Sequence, residues 1–475
     1  MATLRYKKRY NKWYVYEITN YWDKELKKPR QKSKYLGVAE EYGGTYTKIK
    51  VIQEQIIVAK ELAIVDYGDS YVIDKVSKDI GLSSIIENSF GNLDSIMALI
   101  CFQITEGSAM YNCNDWLIGN IANKLFPSAK VSSQSISSLF KVLGKQDLQI
   151  NFFKNYITKF FPDSCGVLID STALPSTIHN TINAFGYSNG RIEQNVTCLM
   201  LVDKKTNLPI YFRAIGGDIA DISTVKTTVS EIKKLGLKPD SAILDAGFCS
   251  KENLQFMCTE QINFITRLPK SHKVFNELVK SSKYMMETSK NAITYGERVV
   301  FIKSKKVQLY GHEIYAHIIL DPNKKAKDTN LLLKNKSDDI DSREKENLDS
   351  KIKNAGYFIL LSSDLIEKSE VLPSYYARQF IEQAFGFAKS NNNLLPLRVH
   401  SEQSIKGYLM LSFLALIVFI IIRQKIKVSM DQAMIILRSL KAKIFDNEII
   451  IQEANKKTKD IMKSLNIIMP TVMGV

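Results

Sequence analysis

Cysteine pairs at metal-binding or redox spacing are absent. The six cysteines (Cys101, Cys113, Cys165, Cys198, Cys249 and Cys258) include no CxxC. Cys165, Cys198 and Cys249 lie in or beside apolar strand-like runs, where reduced core thiols of a cytosolic protein are found, so neither a disulfide set nor a zinc site is expected. Histidine is scarce too. His312 and His317 have no Cys or paired-His partner at zinc spacing and read as ordinary strand residues. The first residues, MATLRYKKRYNKW, contain no apolar h-region, so no secretory signal is expected. An excess of acid is also missing: 65 Lys and Arg stand against 49 Asp and Glu, a net +16. That balance points to a polyanion such as DNA, RNA or an anionic membrane. One uncharged run, 407–422 (GYLMLSFLALIVFIII), imitates a membrane span but falls short of the roughly 20 residues needed to cross a bilayer. Lys406, Arg423 and Lys425 close it, and it reads as a helix buried between a sheet and another part of the protein. No membrane partner is expected. There is no internal repeat.

What is present is ample apolar material, 45% of 475 residues, enough for two to four structural units. Residues 1–50 are basic and aromatic. WYVYEI from Trp13 alternates like a strand, 24–34 (KELKKPRQKSK) reads as a cationic turn, and a small antiparallel sheet is predicted. That cluster, with Trp13, Trp22 and Tyr35, reads either as a DNA-backbone track or as a solvated hairpin. Residues 51–160 read as helical, including a helix from Asn92 to about Ile104 and another over 131–143. From Cys165 the pattern turns to strands: 166–170, 197–202 and 209–215, with a hairpin turn at 203–207. A helix over 223–235, a strand at 241–245, a helix over 251–259 and a strand at 262–266 follow. Three antiparallel strands followed by alternating helix and strand suit a mixed α/β sheet. Residues 270–356 read as a separate β-rich insertion, with strands at 299–302, 307–310 and 314–320 and a charged arm over 324–353. The sheet pattern resumes at 355–361, and 426–475 reads as a charged helical tail.

The chemistry gathers on three acids. Asp170 and Asp245 each end an apolar strand, where a lone carboxylate is costly to bury and needs a partner or a function. The third, Glu382, belongs to YYARQFIEQAFGFAK at 375–389. There Tyr375, Arg378, Glu382 and Lys389 fall within roughly 60° of arc if the stretch is one continuous helix. Arg378 and Glu382 as an i,i+4 pair suit a solvated salt-bridge face just as well. Acids from two strand ends and one helix can meet at the rim of one sheet. Three carboxylates repel one another, and hard divalent cations such as Mg²⁺ or Mn²⁺ relieve that better than zinc. Two ions about 3.5–4 Å apart activate an attacking oxygen and stabilise a leaving oxygen in phosphoryl transfer. Beyond Asp170, the loop holding His179, Tyr187, Asn189 and Arg191 is rich in turn glycines, and Arg191 reads either as a DNA contact or as part of a structural hairpin. Asp218 and Asp221 follow the third strand, and Asp221 reads as a helix cap.

Taken together, these motifs resemble bacterial insertion-sequence transposases of the DDE class that carry a YREK signature, Y-x2-R-x3-E-x6-K. Tyr375, Arg378, Glu382 and Lys389 stand at that spacing. LIDST at 168–172 matches the context of the first family Asp, and DAGF at 245–248 that of the second. The resemblance covers about residues 160–425. It implies an RNase H-like mixed sheet flanked by helices, formed by 161–269 and 357–425, with 270–356 inserted and a mostly helical DNA-binding region before it. It implies that Asp170, Asp245 and Glu382 bind two Mg²⁺ or Mn²⁺ ions, and that Tyr375, Arg378 and Lys389 hold phosphates. It further implies cutting at terminal inverted repeats and joining of the 3′-hydroxyl ends to target DNA by a homodimer, in the cytoplasm at the nucleoid. A catalytically silent DNA-binding relative and a nuclease without strand transfer are the alternatives. The insertion departs from some members in containing no Trp. All three, Trp13, Trp22 and Trp116, precede the core, leaving Tyr295, Phe301, Tyr310 or Tyr315 as substitutes for a base-stacking ring.

Overall fold

The computed structural model describes residues 2–9, 12–23, 27–47, 61–176, 182–188, 191–219, 224–334, 342–390 and 399–474. It divides into two units, Met1–Lys60 and Glu61–Val475.

The first unit is a sheet of Ala2–Arg9 (β1), Lys12–Asp23 (β2), Lys28–Ala39 (β3) and Tyr46–Thr47 (β4), antiparallel and in chain order. Val15 and Ala39 are buried, and the Tyr6, Trp13 and Tyr42 rings cluster beside them. Val15 pairs with Gly37 but Tyr16 with Tyr35, so Leu36 is an extra residue in β3, a bulge that sharpens the local twist. The cationic turn expected over 24–34 is mostly strand. Lys28, Arg30, Lys32 and Lys34 pair along β2, where lysine-rich, solvated strands are common because charge blocks edge-to-edge pairing.

The second unit begins with Glu61–Asp66 (β5). Its main strands are Ser164–Pro175 (β6), Ala184–Ser188 (β7), Arg191–Asp203 (β8), Pro209–Gly216 (β9), Lys238–Leu244 (β10), Asn263–Leu268 (β11), Ala292–Tyr295 (β12), Arg298–Leu309 (β13), His312–Leu320 (β14) and Tyr357–Ser362 (β15). Among the described residues these ten form one sheet, ordered β12-β13-β14-β15-β11-β10-β6-β8-β7, with β9 also on β8. β6, β8 and β9 are antiparallel, β10 runs parallel to β6, and β11 runs parallel to β10. The expected mixed α/β sheet is thus present.

Two expectations are corrected. Residues 270–356 do not stand apart, because β13 and β14 continue the main sheet through β15. The burial of almost every residue from Ile314 to Leu320 shows why: this strand is a sheet interior. The charged arm contains helices Pro322–Lys334 and Ser342–Lys353. The tail is not wholly helical either. Lys441–Phe445 (β16), Glu448–Ile451 (β17) and Val472–Gly474 (β18) form a sheet with β5, alongside helices Met430–Arg438 and Lys456–Ser464. The decisive pairing, Lys441 with Asp66, joins residues far apart in sequence and leaves no local pattern to read.

The apolar run is the middle of a 24-residue helix, Glu402–Lys425, capped by Ser401 accepting the Ser404 N–H at 3.1 Å. It is long and apolar enough to cross a bilayer, yet 78% of its most apolar window is buried within this unit. It packs on helices Leu93–Thr105 and Ser133–Leu143 and on β9. The crossing with Ser133–Leu143 is close. A Cβ at Gly407 would stand 1.8 Å from the Phe140 carbonyl oxygen, so only glycine fits.

Candidate active site

The register of two parallel strands sets the site. β10 pairs with β6 up to Leu244 opposite Ile169, so the next residues, Asp245 and Asp170, stand side by side where β10 ends and β6 runs on. The expectation that Asp170 ends its strand is corrected: β6 runs on to Pro175 because it stays paired with β8, Asp170 itself facing Met200, and its Oδ1 accepts the Ser171 N–H at 2.9 Å. Asp245 ends its strand before the 3₁₀ turn Ala246–Phe248, and its carbonyl accepts the Thr266 hydroxyl at 3.3 Å.

The third acid arrives from a broken helix. Lys368–Tyr376, with Pro373 inside, ends just before Arg378, and a second helix runs Gln379–Ser390. Between them the bonding tightens to i→i−3: the N–H groups of Arg378, Phe380 and Ile381 donate to the carbonyls of Tyr375, Ala377 and Arg378. The single helix assumed for 375–389 is therefore corrected. The short offsets still work, because neighbours three and four apart remain on one side across the turn. Tyr375, Arg378 and Glu382 converge on Asp170 and Asp245.

Arg378 is the centre of that cluster. Its Nη1 lies 3.1 Å from Asp245 Oδ2 and 3.7 Å from Asp170 Oδ2, and its Nη2 lies 2.8 Å from Glu382 Oε1. The guanidinium also stands over the Tyr375 ring, 5.6 Å from its centroid. The buried Tyr375 donates its hydroxyl proton to Asp245 Oδ1 at 3.0 Å. One cation and one phenol thus hold three carboxylates together.

Burial graduates from one acid to the next. Side-chain exposure is 14% for Asp170, 39% for Asp245 and 52% for Glu382. Asp170 is accordingly perturbed. Burial raises its pKa from 3.8 to about 6, with Arg378 and the Ser171 N–H pulling down and the other two acids pushing up. Burial, then Asp245, raises the Tyr375 phenol, which stays protonated and able to donate.

Lys389 goes elsewhere. It turns into an apolar cavity lined by Thr172, Cys198, Met200 and Phe385, where burial lowers its pKa. Thr172 lies two residues beyond Asp170 on β6 and pairs with Cys198, so Lys389 sits farther along the same strand face. Arg191 is not brought in at all. It is exposed and pairs with Ser188 at the far end of the β7–β8 pair, nine residues from Met200 or about 30 Å of strand. His179, Asn189 and Asp221 lie outside the described residues, as does the Tyr187 side chain. Asp218 occupies the turn after β9. His317 is buried and bonded on both ring nitrogens, to Ser304 and Ser362 at 2.8 Å each, and burial lowers its pKa to about 4. It is a structural histidine, as its lack of zinc spacing implied.

Two residues escaped the sequence reading. Thr266 is buried and tethers the Asp245 backbone. Arg267, beside it on β11, is a second cation acting on Tyr375. A signal was available: Arg267 is a charge at the end of an apolar strand, the same cue that picked out Asp170 and Asp245.

The donor chemistry fits a hard divalent cation. All three acids offer oxygens only, and a cationic group already lies among them. Their spacing is that of carboxylates gathered on a guanidinium. Among the described residues, no group of three or more His, Cys, Asp or Glu side chains is drawn close enough to grip one ion as it stands.

The family model described as Transposase DDE domain matches residues 161–418, more than half of the chain. The chain belongs to that family. Membership supports a role in DNA transposition. No curated protein matches the sequence. Among solved structures the chain is similar to the piggyBac transposase of "Cryo-EM structure of piggyBac transposase synaptic complex with hairpin DNA", with 12% identity and a TM-score of 0.41, covering 78% of this chain and 76% of that one.

Proposed function

We propose that this DDE-family chain is a bacterial insertion-sequence transposase of the YREK group, and that Asp170, Asp245 and Glu382 are its catalytic, metal-binding acids. The observation that carries the reading is the convergence of all three on one guanidinium. The order of three antiparallel strands followed by two parallel ones supports an RNase H-like core. Two Mg²⁺ or Mn²⁺ ions, when bound, supply activation of the attacking oxygen and stabilisation of the leaving one.

The chain's own residues do the rest. Arg378 offsets the mutual repulsion of the acids and, with its planar fork, is suited to a phosphate as the DNA backbone arrives. Tyr375 orients Asp245 through its hydroxyl. Lys389 lies along the strand face where a phosphate leading into the site would pass. Arg191, at the far end of the β7–β8 pair, is a more distant DNA contact, and the helices within 51–160 are candidates for holding the transposon end. In cleavage, water attacks the phosphorus at the end of the terminal inverted repeat. The P–O3′ bond breaks, leaving a 3′-hydroxyl and a 5′-phosphate. In joining, that 3′ oxygen attacks a target phosphorus and displaces the target's own 3′ oxygen, so the phosphodiester count is conserved. Two copies would bridge two ends, in the cytoplasm at the nucleoid.

The test uses DNA carrying the repeats that flank the gene, with Mn²⁺, and compares wild type with Asp245→Asn. Nicking at the repeat boundary and joined products, both lost in the variant, are expected. Nicking without joined products would mean a nuclease. Specific end binding without nicking would mean a catalytically silent relative.

A further inference from the structure

Half of the net charge is concentrated in one eighth of the sequence. Residues 1–60 contain 14 Lys and Arg against 6 Asp and Glu, a net +8 of the chain's +16. They also lie outside the family match. The β1–β2–β3 sheet places four cations and no acid on one face and five cations with two acids on the other, because cross-strand partners share a face and alternate residues do not.

On one face the cations are compromised. Lys32 and Lys34 share it with Glu17, which pairs with Lys34, and Arg30 is bonded to Asp23 at 3.3 Å. The other face is built differently. Arg5 pairs with Tyr16 and Tyr16 with Tyr35, while Lys7 pairs with Tyr14, and no described residue of the three strands on this face is acidic. The Tyr16 and Tyr35 rings meet at 5.3 Å, and the Lys7 ammonium lies 5.6 Å from the Tyr16 ring centroid. Farther along, Asn20 and Gln31 are direct cross-strand partners, and both are exposed.

We infer that this acid-free face docks on double-stranded DNA, with Arg5 and Lys7 on phosphates and the Asn20–Gln31 pair at base edges. Three strands at 4.7–4.9 Å spacing present a face about 10 Å across, which matches a major groove about 12 Å wide. Side-chain amides make paired hydrogen bonds to adenine in that groove. Arg5 and Lys7, two residues apart on one strand, stand about 7 Å from each other, which suits successive contacts along one DNA backbone. The rings buttress these cations and add apolar contact. The inference rests on DNA being the substrate and is independent of which acids catalyse.

The test measures binding of the full chain to a labelled mixed-sequence duplex by fluorescence anisotropy across a salt series. Arg5→Ala/Lys7→Ala is compared with Lys32→Ala/Lys34→Ala, which removes equal charge from the opposite face, and circular dichroism verifies that both variants are folded. The first pair should weaken binding and flatten the log K against log salt slope by about 1.8, the second by clearly less. Asn20→Ala/Gln31→Ala should keep the slope and lose preference for A·T-rich over G·C-rich duplex. An unchanged slope in Arg5→Ala/Lys7→Ala overturns the inference, as does a larger change in Lys32→Ala/Lys34→Ala. Metal-dependent nicking is scored on flanking-repeat DNA with the same proteins. Nicking that persists beside an unchanged slope overturns this surface alone, whereas neither binding nor nicking by wild type overturns the proposed function as well.

Discussion

Asp170→Asn should stabilise the protein at neutral pH and above, and not near pH 4. Asp170 is 14% exposed, and burial lifts its pKa from 3.8 to about 6. The folded protein therefore holds this proton more tightly than the unfolded chain does. By linkage, stability falls as pH rises through the window from about 4 to about 6 and remains lower above it. The gap of roughly two pH units corresponds to ~3 kcal/mol, a figure that already includes the attraction of Arg378. Asparagine keeps the size and the acceptor for the Ser171 N–H but has no charge to desolvate. Urea unfolding in EDTA, followed by circular dichroism from pH 4 to pH 8, is the assay. The variant should match wild type near pH 4 and exceed it by about 3 kcal/mol at pH 7 and above. A variant less stable than wild type at pH 7, or a difference independent of pH, would refute the reasoning. The same cost explains why an acid inside this apolar strand signals function: stability is given up at a site that needs a carboxylate.

Other consequences follow from the same geometry. Arg378→Gln removes the cation that gathers three acids, so the variant should lose about 2 kcal/mol in EDTA, below the cost of breaking a fully buried pair because Asp245 and Glu382 are partly solvated. Its melting temperature should rise more steeply with added Mn²⁺ than that of wild type; a smaller response would contradict a shared position for the guanidinium and a metal. Lys389→Met replaces an ammonium lining an apolar cavity, and thermal melts should show a gain in stability. In a salt titration with end DNA the same variant should show a slope flatter by about 0.9, and an unchanged slope would remove Lys389 from the DNA path.

The central features of the core were legible because they are local. Apolar runs closed by an acid pointed to β6 and β10, although β6 continues past Asp170 to Pro175. The Y-x2-R-x3-E spacing brought Tyr375, Arg378 and Glu382 together, although the helix they were assigned to breaks at Arg378, where bonding tightens. The longer reach to Lys389 failed for the same reason: helical arithmetic over 14 residues does not survive a change of pitch. What was hidden depends on distant pairing. Nothing in 441–451 announces β5 as its partner, and nothing in 299–320 tells whether its strands extend the main sheet or form their own. Thr266 and Arg267 were missed because their importance comes from the neighbouring strand, not from their own segment.

The claim that three carboxylates cut DNA is tested most directly at Glu382, the most exposed of the three. Wild type and Glu382→Gln should bind flanking-repeat DNA with similar affinity, and in Mn²⁺ only wild type should nick it at the repeat boundary. Equal nicking by Glu382→Gln would contradict the assignment.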